Sequence, residues 1–331
     1  MSKQISIAFQ SDKTAASYVA LAKLVNQFAF DVVSVYCDAP YHPSYGPLLL
    51  MAPHIHRARL GPAAVSPFRI HPIDIAASTA LLTDLAGGRG YIGLARGAWL
   101  EEHGIQEADR PLTAIREAVA IIRMLLSGSS GGYQGRIFQI APHVHAPYPL
   151  PDAPLPLMIG TWGQKLAGIA GEIADELKVG GSSNPDLVPV VRSWIARGES
   201  QAEREPGSVK LVIGSVTVVD PDRQLARELA REKVALYLPV VAPLDPTLQV
   251  EPGLLVRLRS AGQQGDWRSA GRLISDDLLD RFCIAGDAGD IVRQVEELYD
   301  SGVDRVEFGT PHGVDQAAGI SILGSKVIPA L

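Results

Sequence analysis

The sequence predicts a (β/α)8 barrel, an α/β fold, and three observations support that prediction. Eight short apolar runs recur along the 331 residues, and a segment with helical periodicity follows nearly every run. Such alternation is typical of a parallel sheet, and eight units of this length suit a closed barrel. No Gly/Ser linker or block of like charge divides the chain, which counts against the alternative of two doubly wound domains that separate near residue 150. The predicted strands cover residues 5–11, 31–36, 57–65, 91–95, 155–161, 176–181, 209–219 and 305–310.

The interval between the seventh and eighth strands is longer than one helix requires. It covers residues 220–304 and contains the Pro-rich segment "LPVVAPLDPTLQVEPG". We predict a single domain over residues 1–331, with an insertion at residues 220–285 that packs over the barrel mouth. The stretch "DDLLDRFCIAGDAGDIVRQVEELYDSG" is predicted to be helical and to include the seventh helix of the barrel.

The stretch "GGRGYIG" at residues 87–93 contains the pattern G-x-G-x-x-G. This pattern binds a dinucleotide only where a strand leads into the glycines and a helix leaves them, because the phosphate rests on the helix N-terminus. Here the helical segment "PIDIAASTALLTDLAG" precedes the glycines and the apolar run "YIGLA" follows. The glycines therefore indicate the end of a helix and not a Rossmann phosphate loop.

Composition excludes several classes of function. The net charge is −6 at pH 7, and no stripe of Lys and Arg with interleaved aromatics is present, so a nucleic-acid partner is not expected. Cys37 and Cys283 lie far apart, which predicts neither a disulfide framework nor a zinc site and indicates a cytoplasmic setting. The N-terminal "MSKQISIAFQSDKT" has no apolar signal-peptide core, and we expect no membrane partner. The pairs "HIH" and "HVH" stand in loops away from the strand ends, and no metal site is predicted.

Active sites of such barrels lie at the C-terminal ends of the strands, which selects candidate residues without any motif. Most of the predicted ends carry glycine or another small residue, so a ligand can approach the backbone closely. Few ends carry a carboxylate or a histidine, which counts against a hydrolase with paired acid/base residues. The ends therefore indicate a bulky cofactor that brings its own reactivity. Whether Glu307, in the middle of the eighth strand, faces the barrel interior stays open.

The strongest candidate for an anion site is "MIGTWGQKLAGIAGE". A strand leads to Gly160, a tight turn follows, and a helix begins near Gln164. Free N–H groups at the start of a helix, together with its dipole, favour a bound phosphate. Lys165 adds a positive charge in the first turn, and Gly180 with Gly181 on the next strand is expected to complete the pocket.

Four stretches together resemble a known family: "RLGPAAV", "AGGRGYIGLARGAWLEEHGI", "PLMIGTWGQKLAGIAGEIADELKVGG" and "FCIAGDAGDIVRQVEELYDSGVDRVEFGTPHG". The resemblance is to the bacterial luciferase-like superfamily and, more narrowly, to its methylenetetrahydromethanopterin reductase branch, which uses the deazaflavin coenzyme F420. It covers nearly the whole chain. It implies a TIM barrel of the luciferase-like type and a homodimer or larger homo-oligomer, for which the apolar segment "LLLMAP" is a candidate interface.

The resemblance also implies which residues bind the cofactor. A non-prolyl cis peptide is expected at or beside Ala63–Ala64, where the bulged third strand would support one face of the deazaflavin ring. Ala95, Arg96 and Gly97 would line the ring, and backbone N–H groups of residues 160–164 would receive the phosphate. The complete predicted cofactor set is Ala63, Ala64, Val65, Ser66, Ala95, Arg96, Gly97, Gly160, Thr161, Trp162, Gly163, Gln164, Gly180 and Gly181.

The chain departs from the family at positions that matter for chemistry. Family reductases that act on pterins carry carboxylates where this chain has Ala8 and Ala98, and often an Asp-His pair where it has Cys37 and Asp38. Such groups supply acid/base help or orient the substrate. The predicted replacements are Gln10, Asp38 and His312.

We therefore predict an F420-dependent oxidoreductase that transfers a hydride between the deazaflavin and a C=N or C=C bond of a small organic substrate. An FMN-dependent monooxygenase of the same superfamily is the first alternative. A non-catalytic cofactor-binding protein is the second alternative, and the missing carboxylates favour it.

Overall fold

The computed structural model describes residues 3–331 and contains a closed barrel of parallel strands. The strands are β1 (Gln4–Phe9), β2 (Val32–Val35), β3 (Arg59–Pro62), β4 (Ile92–Ala95), β5 (Tyr133–Gln134), β6 (Gln139–Ile140), β7 (Leu157–Gly160), β8 (Glu176–Gly180), β9 (Lys210–Val219), β10 (Cys283–Gly286) and β11 (Arg305–Gly313). Eight of them form one sheet in the order β3-β2-β1-β11-β9-β8-β7-β4. These eight coincide with the eight predicted runs, so the barrel prediction is confirmed and the two-domain alternative is wrong.

The barrel closes between β3 and β4 through two isolated parallel pairs, Leu60 with Gly90 and Val65 with Leu94. Between these pairs, the peptide bond joining Ala63 to Ala64 is cis. The strand then resumes pairing, because the Val65 N–H donates to the Gly93 carbonyl at 3.0 Å. The predicted bulge with a non-prolyl cis peptide is therefore confirmed at Ala63–Ala64.

Helices follow the barrel strands and form the outer layer. They are α1 (Ala15–Val25), α2 (Tyr45–Met51), α3 (Pro72–Leu85), α4 (Pro111–Leu126), α5 (Gln164–Ile173), α6 (Leu187–Gln201), α7 (Arg223–Val241), α8 (Pro252–Gln263), α9 (Trp267–Gly271), α10 (Asp276–Asp280), α11 (Ala288–Asp300) and α12 (Gln316–Ile322). The "GGRGYIG" stretch joins α3 to β4. Gly87 and Gly88 have φ values of +60° and +86°, and the Gly88 N–H donates to the Thr83 carbonyl at 2.9 Å. Its glycines thus end a helix, as predicted.

The long interval after β9 contains α7 to α10 and one strand that the sequence analysis missed. Residues 283–286 were predicted to be helical, but they form β10, which pairs with residues 216–219 of β9. The prediction failed because a short, fully buried apolar run has no periodicity that separates a strand from a helix. Tyr237 and Val241 of α7 lie beside Gly181 at the end of β8, so α7 reaches the barrel mouth. The single-domain organisation and the extent of the cover stay predictions.

The barrel interior contains buried charged side chains beside apolar ones. In the layer nearest the strand starts, Glu176 accepts from Arg305 at 2.9 Å and from Arg59 at 2.7 Å. Burial alone would raise the pKa of Glu176, but the charges of Arg305 and Arg59 hold it below its ordinary value. In the next layer, Lys178 forms a buried ion pair with Glu307. The open question about Glu307 is therefore answered, since its carboxylate lies inside the barrel.

Glycines fix the position of α5 against α6. A Cβ at Gly198 of α6 would lie 1.8 Å from the carbonyl oxygen of Gly168, and a Cβ at Gly171 would lie 2.2 Å from the carbonyl oxygen of Ile195. The two helix backbones are thus in direct contact. This contact holds the N-terminus of α5 at the barrel mouth.

We expect Gly198→Ala to lower the free energy of unfolding by about 1–3 kcal/mol, because its Cβ would meet backbone that cannot move aside. The matched control is Gly168→Ala on the facing helix, where a Cβ would meet its nearest atom at 3.9 Å. That variant should be neutral or more stable by up to about 1 kcal/mol through helix propensity. Urea unfolding midpoints of the two variants measure the difference, and equal midpoints would contradict the proposed contact.

Candidate active site

Small residues from three neighbouring strands converge at the barrel mouth. A Cβ at Gly160 would lie 3.5 Å from the Ala95 Cβ and 4.0 Å from the Ala64 Cβ. A Cβ at Gly180 would meet no atom within 4 Å. The ends of β3, β4, β7 and β8 thus form a low surface on which a flat ligand can contact the backbone closely.

The N-terminus of α5 borders this surface. Gly163 caps the helix without a side-chain hydrogen bond, and the Trp162 indole N–H donates to the Gly180 carbonyl at 2.8 Å. Two predicted phosphate donors are already occupied: the Thr161 N–H donates to the Lys178 carbonyl, and the Gly163 N–H donates to the Thr161 hydroxyl. Within residues 3–331, the N–H groups of Trp162, Gln164, Lys165 and Leu166 have no hydrogen-bond acceptor. These four are therefore the donors available to an anion.

Three of the predicted cofactor-binding residues have their side chains engaged elsewhere. Val65 is fully buried in the hydrophobic core. The buried Ser66 hydroxyl donates to the Arg96 carbonyl at 2.5 Å, and the Arg96 guanidinium forms a 2.5 Å ion pair with Glu107. The Val65 N–H donates to Gly93, and the carbonyls of Val65 and Ser66 already accept backbone hydrogen bonds. The cofactor contacts of Val65 and Ser66 therefore stay predictions. The role of Arg96 as an anchor stays a prediction.

Gly97 and Gly181 both adopt left-handed backbone conformations, with φ values of +104° and +77°. A Cβ at Gly97 would lie 3.2 Å from the Ser66 Cβ. The Gly181 N–H donates to the Gly214 carbonyl and is not available to a ligand. Gly181 therefore affects only the shape of the mouth.

Asp38 is half-buried at the rim and lies beside Gln10. Burial raises the pKa of the Asp38 carboxyl above its ordinary value, against the opposing effects of the Gln10 side chain and the charges of Lys178 and Arg69. The Arg69 guanidinium donates to the Cys37 carbonyl at 2.5 Å and so holds the adjacent chain. Asp38 with Gln10 is thus a carboxyl group placed to exchange a proton at the mouth.

His312 does not suit the role of proton donor that the sequence analysis gave it. It is fully buried, and burial lowers its pKa to about 3. Its Nε2 lies 3.1 Å from the Ala8 carbonyl, which only accepts, so Nε2–H donates there and Nδ1 accepts from the Gln316 amide at 3.2 Å. Both ring nitrogens are occupied and the imidazole is neutral. His312 therefore links β11 to β1 through the Ala8 carbonyl. These contacts count against a role as proton donor, and the catalytic role of His312 stays a prediction.

Beneath the mouth lie the polar side chains of Tyr36, Lys178 and Glu307, of which Tyr36 and Lys178 were not predicted from the sequence. Lys178 Nζ lies 5.1 Å from the centroid of the Tyr36 ring. The Ser34 hydroxyl donates to Glu307 at 2.8 Å, and glycine at position 214 leaves room for the pair, since a Cβ there would lie 3.0 Å from Lys178 Cε. A usable signal was present, because charged residues in the middle of apolar parallel strands are paired when buried.

Residues 3–331 contain neither a metal-binding cluster nor a helix that could span a membrane. No group of three or more His, Cys, Asp or Glu side chains is arranged to hold a metal ion. No helix there has both the length and the apolar character needed to span a membrane.

Comparisons with known proteins agree with this architecture. The chain is 30% identical over 319 residues to 5,10-methylenetetrahydromethanopterin reductase of Archaeoglobus fulgidus, a match that covers 93% of this chain and 94% of the relative. The solved structure of coenzyme F420-dependent tetrahydromethanopterin reductase from Methanopyrus kandleri superposes with a TM-score of 0.91 at 26% identity, covering 99% of both chains. An F420-dependent secondary alcohol dehydrogenase, solved with an F420-acetone adduct, shares the fold with a TM-score of 0.81 at 19% identity, covering 100% of this chain and 99% of that one.

The profile of one protein family matches residues 3–305, which include all eight strand starts of the barrel. That family is described as luciferase-like monooxygenase. This chain belongs to the luciferase-like monooxygenase family.

Proposed function

We propose that this chain is a coenzyme F420-dependent oxidoreductase that transfers a hydride between the deazaflavin and a C=N or C=C bond of a small organic substrate. The reductases and the dehydrogenase to which it is similar are named for F420 or for a pterin reduction. The single observation that carries the proposal is the juxtaposition of the low Ala64–Ala95–Gly160 surface with the free N–H groups at the start of α5.

The residues present fit a flat heterocycle with an anionic tail. The surface beside Gly160 has no side chain larger than a methyl group among its three contact positions, so a planar ring can lie against it. The uncapped N-terminus of α5, with Lys165 exposed in its first turn, provides neutral donors and one positive charge for a phosphate. The coenzyme, when bound, supplies the hydride.

The chain's own residues orient the reactants and handle the proton. Addition of a hydride to a neutral C=N or C=C bond leaves one proton to be delivered. Asp38 is the group placed for this step, because its raised pKa keeps a larger protonated fraction near neutral pH than an exposed aspartate would have. Gln10, beside it, orients the carboxyl. Holding donor and acceptor face to face accounts for much of the rate.

We further propose that the chain is cytoplasmic and forms a homodimer or larger homo-oligomer. Both cysteines are free and buried, which suits a reducing compartment. The "LLLMAP" segment is mostly buried within the chain, but Leu50 remains 39% exposed, and Leu81 and Leu85 on the adjacent α3 are 50% and 43% exposed. These three leucines support an interface on the α2–α3 face.

The test of the proposed function is which cofactor binds. F420 at a hundredfold excess over its Kd should add about 2.7 kcal/mol to the free energy of unfolding, seen as a rise in Tm. FMN at the same concentration should produce a much smaller rise. A larger rise with FMN, together with oxygen consumption by the reduced complex, would support the monooxygenase alternative. Tight F420 binding without oxidation of the reduced coenzyme by a panel of imines and enones would support the non-catalytic alternative.

Gln164→Pro tests the anion site by deleting a single N–H. Proline is tolerated at the first helical position, and Gly163 already has the extended backbone, φ −94° and ψ 129°, that suits a residue before proline. We expect F420 to bind about 10- to 100-fold more weakly, because a hydrogen bond to a charged group is lost. The control Gln164→Ala keeps the N–H and should bind F420 like the unmodified protein. Equal affinities of the two variants in a fluorescence titration would refute the site.

The raised pKa of Asp38 leads to a prediction for the pH dependence of turnover. If the protonated carboxyl is the acid, the rate is full below its folded pKa and falls as pH rises through that value, which lies above the ordinary aspartate value. Asp38→Asn should reduce kcat by about 100-fold or more and remove this limb of the pH profile. Asp300→Asn, at the exposed C-terminus of α11, is the control and should leave the profile intact. An unchanged limb in Asp38→Asn would show that another group or water delivers the proton.

A further inference from the structure

Tyr36 directly follows β2 and is held by the sheet. Its N–H donates to the Phe9 carbonyl at 2.9 Å, which extends the pairing of β2 with β1 by one residue. Side chains alternate along a strand, so Tyr36 faces the same way as Ser34, whose hydroxyl reaches Glu307 inside the barrel. The Tyr36 ring therefore lies in the interior, directly below the mouth.

The hydroxyl of Tyr36 reaches across β1 to β11. Ala8, which pairs with Ser34, is small and leaves the path over β1 open. A Cβ at Gly309 would lie 2.6 Å from the Tyr36 hydroxyl. Glycine at position 309 is thus what leaves room for the Tyr36 hydroxyl against β11.

This hydroxyl is unlike those of the buried tyrosines. The four buried tyrosines each have a hydrogen-bond partner at 3.0 Å or less: Tyr18 with the Gln10 carbonyl, Tyr45 with Thr79, Tyr91 with the Gly61 carbonyl, and Tyr299 with the Gln4 carbonyl. Within residues 3–331, the half-buried Tyr36 hydroxyl has none. The Tyr36 hydroxyl is also not among the fully buried polar atoms that lack a partner, so it is accessible from the mouth and available to a ligand.

The groups around Tyr36 hold its ring in place and keep its hydroxyl protonated, so the hydroxyl can donate a hydrogen bond. Its ring lies over the Lys178 ammonium at 5.1 Å, which fixes the ring from below. Burial, with the nearby Glu307 and Asp38 carboxylates, raises the pKa of Tyr36 well above its ordinary value. The phenol therefore stays protonated over the working pH range and presents its O–H to the mouth.

We propose that the Tyr36 hydroxyl is a catalytic hydrogen-bond donor to the heteroatom of the substrate's electrophilic group, an imine nitrogen or the carbonyl oxygen of an enone. The inference rests on the proposed function. As the hydride adds to carbon, the π electrons move onto that heteroatom, and a donor aimed at it stabilises the developing charge. The proton that completes the product comes from Asp38 or water, and Tyr36 keeps its own proton.

The test compares Tyr36→Phe with the unmodified protein, both loaded with F420. The variant should keep the Tm and the F420 affinity of the unmodified protein, since the deleted hydroxyl has no partner. Its kcat with cyclohex-2-enone and reduced F420 should fall about 10- to 100-fold, the loss expected for a hydrogen bond to a developing charge. Tyr148→Phe, in the segment that leads to the start of β7 at the opposite end of the barrel, should match the unmodified protein.

A second readout does not depend on turnover. The phenolate of 4-nitrophenol mimics the charge that develops on the heteroatom, and calorimetry should show that Tyr36→Phe binds it at least 10-fold more weakly in the F420-loaded protein. Equal phenolate affinity with equal kcat, or no saturable phenolate binding by the unmodified protein, overturns the role of Tyr36 and leaves the proposed function standing. Failure of the unmodified protein to bind F420 overturns the proposed function itself, and the inference with it.

Discussion

The buried ion pair between Lys178 and Glu307 is the constraint on which the mouth of this barrel depends. Two charges removed from water are costly unless each is paired and hydrogen-bonded. Here the pair faces Ser34, and glycine at position 214 leaves room for both side chains. Below it, Glu176 forms ion pairs with both Arg305 and Arg59. Side chains thus fill the barrel interior up to the Lys178–Glu307 pair. The residues nearer the mouth have to be small if a ligand is to enter.

Because side chains fill the interior below the mouth, a ligand at the mouth would contact mainly backbone atoms. At the strand ends, glycine and alanine leave a low surface, and the polar groups that face a ligand there are mostly N–H groups of α5. Backbone donors carry no charge to desolvate and are positioned by the helix itself. The glycine contacts between α5 and α6 therefore matter for binding, because they hold this row of donors in place.

Membership in the luciferase-like family does not decide the chemistry, because function depends on the side chains that a fold presents. In this chain the ionisable groups at the rim are few. Asp38 is half-buried with a raised pKa, and His312 is a neutral brace between two strands. A site with so little acid/base capacity suits a cofactor that carries the reacting electrons, with the protein supplying orientation, one proton and hydrogen-bond donors.

The sequence by itself determined the eight-strand alternation, the helix-end role of "GGRGYIG", the strand–turn–helix order at the start of α5 and, through the family resemblance, the cis peptide at Ala63–Ala64. Each of these follows from local periodicity or from a local motif. Only the tertiary structure decided the interior pairing of Lys178 with Glu307, the occupied nitrogens of His312, the strand at Cys283–Gly286 and the free hydroxyl of Tyr36. Most of these features depend on which strands become neighbours when the barrel closes. Contacts such as Lys178 with Glu307 and His312 with Ala8 join residues far apart in the chain and leave no trace in local spacing.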